Sequence, residues 1–454
     1  MKNVLIISYF WPPSGAVGAI RPSKVAKLLS QQGWRAVIVT VKERYYEQLN
    51  PVTEEKDQSS AVIRTKCFEN PRLIYVWIKS RFFKFLGREN EFKASVLKGP
   101  VEGRVVVKSD SFWSATKRLC LSVLHIPDEQ QGWFAFAIPT CLRVVRRKSI
   151  DCVISTGPPF TCHLVALVVN KLTKVTWIAE FRDPWLGNEQ QPSIIRSGLS
   201  DALNQRLEAA VIRNADRVVC VTPAMTDHYR KAYPSQPANK WVTITNGFDQ
   251  RDFQNLGPIV PHAKFTISYL GSLIYARSPE TVLRAVGELV REGEIESNDL
   301  AVRFIGKCRY AGGRAVDEMA AEHGLSDVTE VVDFLPRCEA LKEMLRAHVL
   351  LLLANQQELQ VPGKAYEYLG AGAQILAVTE EKGATADFIK RVGGHVASPD
   401  DHMSIKRIIK KWYLEYKKEG KCSTTNVAAQ GVMDEYEWQH LGQQYADALN
   451  SCSR

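Results

Sequence analysis

The chain has no Cys-x-x-Cys, no Cys/His ligand cluster and no Asp-x-Asp. The first two absences argue against a structural zinc site. The third leaves a metal-bridged diphosphate unsignalled. Neither the G-x-G-x-x-G order of a dinucleotide site nor the Lys-Ser/Thr of a P-loop occurs in its glycine-bearing first loop, which disfavours ATPase chemistry. No apolar run approaches the ~18 residues of a membrane-spanning helix. Met1-Lys-Asn leads straight into a short strand pattern, not into the apolar region and cleavage site of a secretory signal. Ten cysteines are scattered singly. Cys152, Cys162 and Cys220 lie in or beside apolar patterns and read as small core residues in a reducing compartment. A cytoplasmic protein is expected, held at most peripherally to the inner membrane face.

What is present points to anion chemistry. The 454 residues suit two or three domains. Lys and Arg outnumber Asp and Glu by 59 to 49, a net charge of +10. That balance suggests a phosphorylated ligand, an acidic membrane surface or nucleic acid, although a merely basic enzyme has it too. Nucleic acid is the weakest of these, because the basic residues form no recognition motif. The stretch from Ile78 to Leu124 mixes Lys79, Arg81, Lys84 and Arg88 with Phe82, Phe83 and Phe85. It reads either as a contact to an anionic membrane surface or as a Phe-packed helix with a solvated basic face.

Short Val/Ile-rich runs alternate with amphipathic segments, as in parallel strands covered on both faces. Strands are expected at Val4–Tyr9, Val37–Val41, Val153–Ser155, Trp177–Phe181, Val218–Val221 and Val242–Thr245. After a Pro/Gly-bearing stretch from Asp249 to Ala263 the alternation restarts, with strands at Phe265–Leu270, Val302–Ile305, Val331–Phe334, Val349–Leu353, Gln374–Val378 and His395–Ala397. Helices are expected between them, among them Arg21–Gln32, Gly312–His323 and Lys364–Leu369, and a last one over Asp434–Leu449. The expected fold is α/β, with two Rossmann-like doubly wound domains facing a cleft. Residues 1–255 form the first, 256–430 the second, and 431–454 a terminal helix that crosses back to the first.

Two segments carry the chemistry. Ser8-Tyr-Phe-Trp-Pro-Pro-Ser-Gly-Ala-Val-Gly-Ala-Ile-Arg-Pro22 follows the first strand, where open α/β sheets bind ligands. Gly15 and Gly18 there permit close backbone approach. Val361-Pro-Gly-Lys-Ala-Tyr-Glu-Tyr-Leu-Gly-Ala-Gly372 opens a short helix, with Gly370 and Gly372 expected to stop it. The free N–H groups of the helix start, with Lys364, suit a phosphate. Glu367, one turn on, can accept hydrogen bonds from a sugar diol. An ordinary capped helix with a surface Lys and Glu reads the same way.

Five segments in order resemble family 4, GT-B-fold glycosyltransferases, in the branch with a Phe-Pro-Pro…Gly…Gly N-terminal loop. They are the first loop, then Ser155-Thr-Gly-Pro-Pro-Phe160 with Trp177-Ile-Ala-Glu-Phe-Arg-Asp-Pro-Trp185, then Thr245-Asn-Gly-Phe-Asp249, then Tyr269-Leu-Gly-Ser-Leu273 with Arg277-Ser-Pro-Glu280, and last Val361 to Tyr368. The resemblance implies a hexosyltransferase-like enzyme using a nucleotide sugar, with retention, on a glycan or lipid-linked acceptor in surface polysaccharide or glycolipid biosynthesis. It implies a donor site of Gly15, Gly18, Gly271, Arg277, Lys364 and Glu367, in which Arg277 and Lys364 meet the diphosphate. On the acceptor side it implies Asp183, orienting or deprotonating the hydroxyl, and Arg182. Asp183 equally suits a turn before Pro184, and Arg277 a helix start. The implied site has no metal and no cofactor beyond the co-substrate.

Two departures stand out. Many members of the family carry Glu-x7-Glu, but position 359 is Leu359 and the nearest acid is Glu358. Many also carry a Lys soon after the residue corresponding to Arg277, whereas here the nearest cation of that kind is Lys307, at a later strand end. A non-catalytic nucleotide-sugar-binding assembly subunit and a GT-B-fold nucleotide-sugar epimerase are the alternative readings.

Overall fold

The computed structural model describes residues 2–49, 61–68, 125–186, 198–274, 277–420 and 430–452. The basic aromatic segment from Ile78 to Leu124 lies outside the described residues. The chain forms two α/β units: residues 1–245 with 441–454, and residues 246–440.

Unit 1 is built on β1 (Lys2–Ile7), β2 (Trp34–Val41), β3 (Ala61–Thr65), β4 (Cys152–Gly157), β5 (Thr176–Phe181), β6 (Arg217–Cys220) and β7 (Trp241–Thr243). They pair in the order β3-β2-β1-β4-β5-β6-β7, all parallel. Val4, Leu5, Ile6 and Ile7 are all buried, as the non-alternating run requires of a strand covered on both faces. Cys152, Cys162 and Cys220 are buried free thiols. The strand order reverses between β1 and β4, so the loops after these two strands flank the switch point.

Unit 2 repeats the plan with β8 (Phe265–Ser272), β9 (Leu300–Lys307), a two-residue hairpin β10/β11 (Tyr310–Ala311 and Arg314–Ala315), β12 (Thr329–Val332), β13 (Val349–Leu353), β14 (Gln374–Val378) and β15 (His395–Ala397). The main sheet runs β12-β9-β8-β13-β14-β15, again parallel, with its switch point between β8 and β13. Its core joins these strands to helices Glu280–Arg291 and His402–Glu419.

Several elements depart from expectation. Strand β3 is a half-exposed edge strand whose Ala-Val-Ile-Arg-Thr run is too short to stand out. Helix His402–Glu419 was hidden by its charge: only Ile405, Ile409, Trp412 and Tyr413 are buried. Two of its lysines pair with residues outside the helix, Lys406 with Glu292 (2.5 Å) and Lys417 with Asp299 (2.6 Å). The element expected from Gly312 is first a hairpin, and its helix starts only at Val316. The last helix is two, Gln430–Glu435 and Trp438–Cys452. It breaks where Phe248 donates to the Tyr436 carbonyl (3.0 Å) and accepts from the Trp438 N–H (2.9 Å).

The division between units falls at Thr245/Asn246, ten residues before the expected 255/256. Asp249 caps a helix at Gln250–Gln254, and Phe248 and Phe253 press on Gly370. A Cβ at Gly370 would lie 2.7 Å from each ring. Gly370 therefore lies inside helix Gly363–Ala371 and does not stop it; Gly372, at φ +71°, caps it.

Candidate functional site

In unit 2 the switch point is spanned by one side chain. Lys364 is the second residue of helix Gly363–Ala371, which follows the loop after β13. Its Nζ donates to the Leu270 carbonyl (3.1 Å) near the end of β8 and lies 3.5 Å from the Tyr269 ring centroid. Such a ring face attracts a cation. Burial, with Arg277 nearby, holds the Lys364 ammonium well below the usual lysine range. A carbonyl and a ring supply no full negative charge, so this ammonium is under-compensated.

The backbone around it is shaped for close approach. Gly271 has φ +141°, and a Cβ there would sit 3.3 Å from Lys364 Nζ. On the neighbouring strand Gly306 has φ +113°, and a Cβ there would collide with the Gly271 carbonyl. Both positions call for glycine. The Tyr368 hydroxyl accepts the Leu270 N–H (3.1 Å), fixing the same strand end from below. Cys308 donates to the Gly271 carbonyl (3.4 Å), its thiol pushed up to about 12 by burial. Arg277 reaches the Tyr269 hydroxyl, whose own pKa burial raises. The Arg277 Nε is buried without a partner among the described residues. The structure thus brings Gly271, Arg277 and Lys364 together.

Glu367, one turn further on, is in an ion pair. Its Oε1 accepts from Arg337 Nη1 (2.7 Å), and Arg337 Nη2 donates to Asp252 Oδ2 (2.9 Å). At the position of the departure, Glu358 presents its backbone carbonyl to the Ala384 N–H (2.7 Å), and Gly383 packs on its Cα. Lys307 is exposed at the end of β9. Sequence reasoning missed Tyr269, Cys308 and Arg337. Tyr269 stands in a quoted motif, whereas nothing local marks the other two.

In unit 1 the switch point is filled from within. Arg182 Nη1 donates to the Gly18 carbonyl (2.8 Å) and Nη2 to the Pro158 carbonyl, joining the loops after β1 and β4. A Cβ at Gly18 would lie 3.0 Å from that guanidinium and 3.1 Å from Phe10. The close approach at Gly18 is therefore made by the chain's own arginine. Burial pulls the Arg182 pKa down against the opposing pull of Glu180 and Asp183. Gly15 stands apart, its N–H donating to Gln48 (2.9 Å).

Asp183 lies on the turn after β5, and the far side of that turn is anchored. The Trp185 N–H donates to the Tyr229 hydroxyl (3.0 Å), its Nε1 to Asn204 (3.0 Å), and its ring stacks on Phe160 at 4.6 Å. Beneath, His163 Nδ1 and Ser155 Oγ are 2.8 Å apart, and Trp177 Nε1 donates to the same oxygen (2.8 Å). Burial first, then Arg182, hold the His163 pKa down to about 3.

Residues 114–247 match the family model described as a glycosyl transferase 4-like domain. No curated protein is significantly similar in sequence. Similar solved structures include a glycosyltransferase from Rickettsia africae, at 11% identity and TM-score 0.63 over 99% of this chain and 98% of that one. Sucrose-phosphate synthase from Thermosynechococcus elongatus is similar at 14% identity and TM-score 0.62, over 99% of both chains. HepE from Anabaena in complex with UDP-glucose is similar at 12% identity and TM-score 0.59, over 99% of this chain and 100% of that one. At these identities the likeness is one of fold. Among the described residues no helix is long and apolar enough to cross a membrane.

Proposed function

We propose that this chain, a GT-B-type glycosyltransferase with a glycosyl transferase 4-like domain at residues 114–247, moves a sugar from a nucleotide-sugar donor to a hydroxyl of a glycan or lipid-linked acceptor, with retention. The observation that carries the reading is the under-compensated Lys364 ammonium across the unit 2 switch point, beside Arg277. A nucleoside diphosphate supplies the missing charge. As the glycosidic bond to the donor breaks, negative charge grows on the leaving diphosphate, and a fixed ammonium and guanidinium stabilise it there. Arg277 adds a planar, permanently charged fork. The glycine backbone at 271 lets phosphate oxygens come close, and Glu367 takes the ribose hydroxyls. Asp183 orients or deprotonates the acceptor hydroxyl, with Arg182 setting the turn before it. The pathway we assign is surface polysaccharide or glycolipid biosynthesis. Anabaena HepE, similar in fold, has been seen with UDP-glucose, which favours a nucleotide-sugar donor here.

Thermal-shift screening against UDP-, GDP-, ADP- and dTDP-sugars tests the donor half, since a ligand of the native state raises stability. One donor should raise Tm, and product analysis with that donor and oligosaccharide or polyprenyl-linked acceptors should show transfer with the anomeric configuration kept. Tm shifts without transfer or donor hydrolysis would favour the non-catalytic binding subunit. No shift with any donor would overturn the reading.

A further inference from the structure

Arg337 is the first residue of helix Arg337–Arg346 and belongs to no motif that the sequence displays. Its guanidinium forks between two carboxylates from distant parts of unit 2, Glu367 at 2.7 Å and Asp252 at 2.9 Å. Burial pulls its pKa down, but the two carboxylates more than offset that and raise it, so it is a fixed cation. One oxygen of Glu367 is thereby committed. A carboxylate has about four acceptor sites, so the pair can still take a diol.

The arrangement answers a problem that the proposed site poses. A bare carboxylate close to a diphosphate repels it and swings among rotamers. A carboxylate held by a rigid guanidinium presents one orientation, and the cation offsets part of its charge. We propose that Arg337 is the positioning residue of the ribose grip: by fixing Glu367 and offsetting part of its charge it gives the site its preference for a ribonucleoside diphosphate over a deoxy counterpart. The inference rests on the nucleotide-sugar reading and on Glu367 as the diol acceptor. Asp252 belongs to the same grip at one remove, because it holds the other arm of the fork. A lysine at 337 would keep the charge but not the planar fork that holds the two carboxylates in one geometry.

Calorimetric titration of the full chain and of Arg337→Ala and Arg337→Lys with UDP, ADP and GDP, and with the 2′,3′-dideoxy form of whichever binds, tests this. The unaltered protein should prefer the ribose form by about 10- to 100-fold, as for a hydrogen bond to a charged group. In Arg337→Ala that ratio should fall close to one while the dideoxy form still binds through its diphosphate. Arg337→Lys should fall between, and it decides the matter if the alanine variant does not fold. A ratio unchanged in these variants overturns the role of Arg337 and leaves the nucleotide reading standing. A ratio near one in the unaltered protein removes Glu367 from the ribose. Binding of dTDP but of none of UDP, ADP and GDP overturns this inference alone; binding of none of the four overturns the nucleotide reading as well.

Discussion

Lys364 stands under two opposed demands. Burial and the Arg277 charge disfavour its protonated form, while the proposed leaving group needs that form. A bound diphosphate sets negative charge beside the ammonium and outweighs both, so its binding should raise the Lys364 pKa. Between the free and bound values, binding then takes up a proton, and affinity falls as pH rises through that window. Calorimetry in buffers of different ionisation enthalpy should show this uptake, and Lys364→Met should abolish it. Lys364→Ala should lower turnover by ~10²-fold, the scale of one lost donor to a developing anion; unchanged turnover would remove Lys364 from the mechanism. His163 gives a prediction with no ligand at all. It stays neutral when folded, down to about pH 3, but titrates near 6.5 when unfolded. The unfolded chain therefore binds one proton more in that window, and stability falls as the solution is acidified. Denaturant titrations should show the unaltered protein losing ~1.4 kcal/mol per pH unit below 6.5 relative to His163→Gln. A single residue's place in the candidate site was legible only where a motif framed it. Lys364 and Gly271 were visible because glycines, a strand end and a helix start flank them. Arg337 was invisible, since its partners lie 85 and 30 positions away.

Elements were legible where burial dictates composition. Strands β13, β14 and β15 have the expected limits because every residue of the first two is buried, and the run cannot extend without leaving the sheet. Charged or edge elements were not: β3 and helix His402–Glu419 each bury too few residues to print a run. Gly370 shows how a local rule misleads. Near a helix end it resembles a cap, yet its role is spatial, letting Phe248 and Phe253 lie on the helix that carries Lys364 and Glu367. Gly370→Ala should therefore destabilise by about 1–3 kcal/mol through overpacking, despite alanine's better helix propensity. Denaturant unfolding would measure it. A stabilised variant would mean that the two rings are free to retreat. Because the same helix carries Lys364 and Glu367 of the proposed donor site, affinity for a nucleoside diphosphate should weaken in Gly370→Ala alongside stability.

For the whole molecule, the division into units hides one long-range tie in the first of them. Arg21 is buried, and its Nε donates to Glu180 on β5 (2.9 Å). Its Nη groups donate to the carbonyls of Ile244 (2.6 Å) and Thr245 (2.5 Å), the last residues before the chain enters unit 2, and to the Tyr445 hydroxyl (2.6 Å). Tyr445, on helix Trp438–Cys452, in turn donates to Glu180. The same helix packs closely at Gly442, where a Cβ would lie 2.7 Å from Leu28. One guanidinium thus secures the first helix, the fifth strand, the exit of the chain and its return. Composition and periodicity marked each of these segments but not their convergence, because a buried ion pair leaves no periodic trace. Removing one partner of such a pair typically costs ~3–5 kcal/mol, the charge left behind being uncompensated. Glu180→Ala should accordingly lower amide-exchange protection in Ile20–Gln31, Thr176–Phe181 and Trp438–Cys452 together, although they lie far apart in the sequence. Tyr445→Phe, which removes only the hydroxyl, should produce the same pattern at about 1–3 kcal/mol. Loss of protection confined to the segment that carries the substitution would show that the terminal helix is held by its apolar face alone.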